Sequence, residues 1–216
     1  SVHFEKWPYR VEGSFKNCPK LTSFTNGEEY GNMTCKAGYI IVNEDTITRA
    51  PTGLSGTVYI PDFVTDIRSR ALIYCHQIEE LVLPEGFDAA SEKAFMDCAN
   101  LKTVVFPTTT RYLSSDVFHG CNNLESIYFT GDAPDVLPWP ATFVPIFGDY
   151  NENRIPRDTR VTANVYYPAD NETWTEEDRE DYEDIFSAPM DVLLKTLYID
   201  VKELMIFLKK LINALP

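Results

Sequence analysis

Basic residues are scarce in this 216-residue chain: 19 Lys and Arg stand against 33 Asp and Glu, a formal charge of −14. A surface of that sign repels a phosphate backbone, which excludes nucleic acid as a partner class. Long apolar runs are lacking too. No uninterrupted stretch reaches the ~18 apolar residues that a membrane-crossing helix needs, so no transmembrane segment is expected. The polar start SVHFEKWPYR is not a signal peptide, so any export signal is expected to lie upstream of it or to have been removed. Histidine occurs only at His3, His76 and His119, and no GxSxG, HExxH or phosphate-loop motif is present. His76 follows Cys75 directly whereas His119 stands two residues before Cys121. No aligned Cys–His pair results, and catalysis is not expected. None of the five cysteines forms a CxxC, which removes zinc ribbons and thioredoxin-type sites; no metal or cofactor is expected.

What the chain does have is a period. Cys75, Cys98 and Cys121 are 23 residues apart, and Pro61, Pro84 and Pro107 keep the same step. Leu72, Phe95 and Phe118 stand three residues before each cysteine; Ile78, Leu101 and Leu124 stand three after. Next come the alternating segments IEELVLP, LKTVVFP and LESIYFT, whose inward residues are Leu81 and Leu83, Val104 and Phe106, Ile127 and Phe129. Alternation with period two predicts a strand with one buried face. GTVYIP, with Val58 and Ile60 inward, supplies the same strand one period earlier.

One such unit, a strand followed by a short helical or irregular return, cannot cover its own apolar face. Neighbouring units must stack, which predicts a solenoid with a continuous parallel sheet on one side, strands about 4.8 Å apart. Equivalent side chains then form ladders. The cysteines fall in one such column, where small, weakly donating thiols can be buried at a turn. Stacking brings them near disulfide range, but side chains in register point the same way, so buried free thiols are expected.

The pattern of Ala-Phe, Cys, Leu and a Pro-closed strand resembles the BspA-like class of bacterial leucine-rich repeats. It is carried by SFKNCPKL, ALIYCHQIEELVLP, AFMDCANLKTVVFP and VFHGCNNLESIYF, over about residues 14–130, with Ser14, Leu72 and Val117 departing from the Ala-Phe pair. AGYIIVNEDTITRAPTGLSGTVYIPDFVTDI resembles the stretch where a hairpin interrupts such arrays. Its arms would be Tyr39–Val42 and Thr46–Arg49 around the turn 43–45. VYYPADNETW resembles the segment that closes them. The resemblance implies an α/β solenoid of leucine-rich repeats of about 23 residues with an inserted hairpin near 36–55, to which the residues beyond the period add an irregular cap and a C-terminal helix. It also implies a secreted or cell-surface protein that acts as an adhesin or by protein binding.

The repeat array is assigned to 1–130. From 131 to 190 the chain is proline-rich and acidic, and Trp139, Phe143 and Phe147 are expected to cover the last repeat. Asp149, Asn151 and Asn153 have calcium-loop spacing, but Arg154 and Arg160 replace the glycine and the bidentate glutamate, so a polar loop is preferred. Seven carboxylates between Glu176 and Asp184 predict a solvated helix face, with a basic partner or divalent ions as alternatives. In 191–216, Leu193, Leu197, Val201, Leu204, Leu208, Leu211 and Leu215 form one helical stripe, expected to pack on the solenoid or else to pair with a second copy.

The candidate site is the outward face of the strands: Tyr59, Glu80, Val82, Thr103, Val105, Ser126 and Tyr128, with Thr57 beside them. Stacked, Tyr59, Val82, Val105 and Tyr128 make a column suited to a protein partner from a host or bacterial surface. Such residues are also good strand formers in their own right. The competing expectation is a carbohydrate-active hydrolase or sugar-binding protein that uses the acidic C-terminal region.

Overall fold

The computed structural model describes residues 1–5, 15–16, 18–26, 31–114, 117–137, 163–168 and 171–175. In chain order the strands are β1 (Val2–Phe4), β2 (Phe24–Asn26), β3 (Met33–Lys36), β4 (Tyr39–Val42), β5 (Thr46–Arg49), β6 (Ser55–Tyr59) and β7 (Asp66–Ile67). There follow β8 (Gln77–Val82), β9 (Ala89–Ala90), β10 (Thr103–Phe106), β11 (Tyr112–Ser114), β12 (Ser126–Phe129), β13 (Asp135–Leu137) and β14 (Asn164–Tyr166).

These strands wind a parallel β-solenoid. One wall is a five-stranded sheet in the order β14-β12-β10-β8-β6, all parallel, whose register joins residues one period apart, such as Thr103 to Glu80 and to Ser126. On the other wall the return, expected to be short and helical or irregular, takes a regular extended form. Among the described residues there is no helix; the return is a tight turn followed by a short strand, and β13-β11-β9-β7-β5 pair in parallel as a second sheet. The physical reason is space: the few residues between Pro84 and Lys93 must cross the core and reverse, and two paired residues per turn already satisfy the backbone. The helix expected over 191–216 lies outside the described residues.

The interruption near 36–55 is present and larger than a hairpin. β4 and β5 are antiparallel around Asn43 and Glu44, both in the left-handed region, and β3 adds a third antiparallel strand with Met33 opposite Val42. The meander extends the second sheet, and every residue of β4 is buried.

Ladders fill the interior as the period demands. Val58, Leu81, Val104, Ile127 and Val165 are buried in one file, and Leu72, Phe95 and Phe118 in another. Phe106 lies 5.0 Å from Phe129 with planes 10° apart, and Phe95 lies 5.4 Å from Phe118. Full burial of a Phe or Leu side chain contributes about 1.5–3 kcal/mol, so each file is a major stabilising unit.

The cysteine file is a hydrogen-bonding device. Cys75 donates to the carbonyl of Pro51 (3.7 Å), Cys98 to that of Leu72 (3.4 Å) and Cys121 to that of Phe95 (3.1 Å), each reaching one turn back. All three thiols are free and buried. Each carbonyl already accepts a backbone N–H within its own turn, from Leu54, Cys75 and Cys98 respectively, and the thiol supplies its second bond from the next turn.

At the far end Trp174 closes the described core. Its ring packs 5.1 Å from Phe129 and 4.6 Å from Tyr167, and its Nε1 donates to the carbonyl of Gly131 at 3.1 Å. The residues expected to cover the last repeat, Trp139, Phe143 and Phe147, lie outside the described residues.

Candidate functional site

Strand register brings the outward residues together in rows. Tyr59 pairs with Val82, Val82 with Val105, Val105 with Tyr128, and Tyr128 with Tyr166. Two residues earlier on each strand runs a polar row: Thr57, Glu80, Thr103, Ser126 and Asn164. Thr57 donates to the Glu80 carboxylate at 2.7 Å, which ties the first two members. Beside that row Lys102 forms an ion pair with Glu79 at 2.9 Å, and this hydrogen bond raises the lysine pKa above its ordinary value. Glu125 is exposed nearby, so the flank of the face is acidic overall.

The column is less uniformly exposed than its pattern predicts. Tyr59 is 47% exposed, and no other large apolar side chain among the described residues is exposed. Val105 is closed to 8%, because it sits in register between Val82 on one side and the larger Tyr128 on the other. Tyr128 is half-buried against Tyr166, with centroids 4.6 Å apart and planes at 11°, and partial burial raises its phenol pKa. The face therefore has a wet tyrosine at one end, a paired tyrosine stack at the other and a shallow aliphatic floor between.

Tyr166 was not among the sequence candidates. It lies beyond the point where the period breaks, and its only signal is the alternation of VYY in a segment read as a closing strand. A second feature missed from the sequence is the recurrence of left-handed backbone at Tyr74, Asp97 and Gly120, one period apart. Only the last is glycine, so residue type alone hides it. Each precedes a cysteine of the ladder and turns the chain so that the thiol points inward.

The chemistry of the other candidates is structural. The thiols of Cys75, Cys98 and Cys121 are occupied by carbonyls, and burial pushes the Cys75 thiol up to about 12, opposite to what a nucleophile requires. Among the described residues no group of three His, Cys, Asp or Glu side chains is placed to hold a metal ion. The calcium-like segment at Asp149 and the acidic run 176–184 lie outside the described residues.

Residues 53–136 match the BspA type leucine rich repeat region, in six copies. No curated protein matches the chain. Among solved structures, the pneumococcal vaccine antigen PcpA is similar at 12% identity and a TM-score of 0.46, over 77% of this chain and 48% of that one. A leucine rich cell surface protein from Faecalibacterium prausnitzii A2-165 shares 17% identity at a TM-score of 0.44, over 81% and 47%. The T. pallidum leucine rich repeat protein TpLRR shares 20% identity at 0.40, over 59% of each chain. This chain thus spans about half the length of the first two.

Proposed function

With residues 53–136 identified as BspA-type leucine-rich repeats, we propose that the chain is a non-catalytic protein-binding module, acting at the cell surface or outside the cell in an adhesin-like role. The observation that carries this is the in-register column from Tyr59 to Tyr166 on the outward face of the five-stranded sheet, flanked by a threonine, serine and glutamate row. Tyrosine offers a large contact area at low entropic cost together with a polar tip, and an aliphatic floor between two aromatic anchors is the composition of an interface centre. The repeat class supports the extracellular setting, and free buried thiols that resist oxidation are compatible with it.

The test is a binding screen of the folded chain against surface and matrix proteins, followed by Tyr59→Ala combined with Tyr128→Ala. Loss of binding by about thirtyfold or more, the scale of a hot-spot truncation, supports the face. A partner whose affinity is untouched by the double change eliminates it.

A further inference from the structure

The five-stranded sheet ends at β6, and among the described residues nothing pairs with the other side of that strand. By sequence register the preceding turn of the solenoid would supply its neighbour from the segment after Cys18. That segment forms β2 instead, which pairs with β1, while Phe24 N–H donates to the carbonyl of Gly38 in the meander. The ladder is therefore cut one strand short of where the pattern would continue it.

The groups left on this edge follow from the observed bonding. Ile60 N–H donates to the carbonyl of Val82 at 2.9 Å, so in β6 the backbone of Val58 and Ile60 faces β8. The N–H and C=O groups of Thr57 and Tyr59 then face away from it. The free run is short: the register shifts between Gly56 and Thr57, with Gly56 at φ +65°, and Pro61 ends the strand. Such an edge is a template for one added strand. Ser55, Thr57 and Tyr59 are all exposed along it.

We propose that the β6 edge receives an extended, basic polypeptide segment, which adds a strand beside Thr57–Tyr59 and continues the outward rows by one residue each. This goes beyond the face proposed above, although it shares the premise that the chain binds protein. Charge selects the occupant. In the polar row the nearest ionisable group is Glu80, already bonded to Thr57, with Asp62 just past the strand and Glu79 already paired with Lys102, in a chain of formal charge −14. A lysine or arginine placed opposite Thr57 meets carboxylates, and one opposite Tyr59 meets the face of an exposed ring. A second copy of the chain would bring like charge to the same edge, which disfavours self-pairing.

The experiment uses the full chain and an end-blocked peptide that alternates lysine with valine, a glutamate–valine peptide as control, and two sets of N-methylated lysine–valine peptides blocked on alternate residues. Strand addition requires that one set lose affinity by about fivefold to tenfold per blocked bond while the other binds normally. Tyr59→Pro removes an N–H that β8 does not use, and proline is tolerated on such an edge; it should abolish binding, whereas Tyr59→Val should retain part. No binding of the lysine peptide, equal binding of the glutamate peptide, or indifference to both methylation sets overturns the proposal. A concentration-dependent dimer abolished by Tyr59→Pro would assign the edge to a second copy and overturn it equally. Tyr128→Ala separates the two readings, since Tyr128 lies three strands from this edge. A protein partner lost with Tyr128→Ala and weakened no more by Tyr59→Pro than by Tyr59→Ala leaves the face standing and removes the edge.

Discussion

Tyr128 and Tyr166 lie face to face across β12 and β14, their ring centroids 4.6 Å apart and their planes 11° from parallel. The stack joins the last strand of the repeat array to a strand that arrives from beyond the break in the period. An aromatic pair of this kind contributes about 0.5–1.5 kcal/mol beyond its buried area. Tyr166→Ala is therefore expected to lower stability by about 1–2 kcal/mol in urea unfolding. It should also bring the Tyr128 phenol, raised now by partial burial, back down towards its ordinary value in an absorbance titration. An unchanged titration would mean that the two rings do not shield one another.

Phe106 on β10 faces inward and Tyr59 on β6, two strands away, faces outward, and they should answer truncation differently. Phe106 is fully buried and touches Phe87, Phe118 and Phe129, so Phe106→Ala should cost about 3–5 kcal/mol. Tyr59→Ala, at an exposed edge, should stay within about 0.5 kcal/mol of the parent. Paired denaturation curves decide this, and a large stability loss at Tyr59 would mean that its ring is structural.

The interior of this solenoid was legible because the same contact recurs at every turn: a period read from Cys75, Cys98 and Cys121 forces those positions into one file, and alternation fixes which neighbours face inward. The return wall was not legible. β7 and β9 are two residues long, below the length at which alternation can be told from a turn, and Ala89–Ala90 carries no strand preference. The third strand of the meander carries no sequence signal, because Met33–Lys36 lacks the β-branched run of its partner strands. In the candidate site the column itself followed from period and alternation, but exposure within it did not. The burial of Val105 and the arrival of Tyr166 depend on which large side chains neighbour each rung, and Tyr166 comes from a strand distant in sequence.

Close approach of backbones makes one glycine irreplaceable at the start of the array. A Cβ at Gly53 would lie 2.5 Å from the carbonyl oxygen of Leu21, and Gly53 N–H donates to that same oxygen at 2.7 Å. The neighbour is backbone and cannot rotate aside. Gly53→Ala should cost about 1–3 kcal/mol, the range of overpacking, and should loosen residues 18–26 before the rest. Hydrogen exchange checks the second part: faster exchange confined to Leu21 and Phe24 is expected, and uniform exchange would contradict it.

The thiol file should set the alkaline limit of stability. Burial pushes Cys75 up to about 12 from 9.0, and hydrogen bonding to the Cys121 thiol together with burial holds Cys98 well above the same ordinary value. A group that keeps its proton more tightly when folded stabilises the fold fully below its unfolded pKa, and that contribution drains away as pH rises towards the folded pKa. Stability measured by urea unfolding should therefore be level to about pH 8.5 and then fall, each such thiol adding a slope of about 1.4 kcal/mol per pH unit. Tyr39, also raised by burial, steepens the fall above its ordinary 10.0. Cys75→Ala lowers stability at neutral pH through the lost methyl-sized contact and carbonyl bond, but it should flatten the slope between about pH 9 and 10, where tyrosine is still protonated. A slope unaltered by Cys75→Ala would place the alkaline loss elsewhere and show that this thiol ionises without unfolding the turn that holds it.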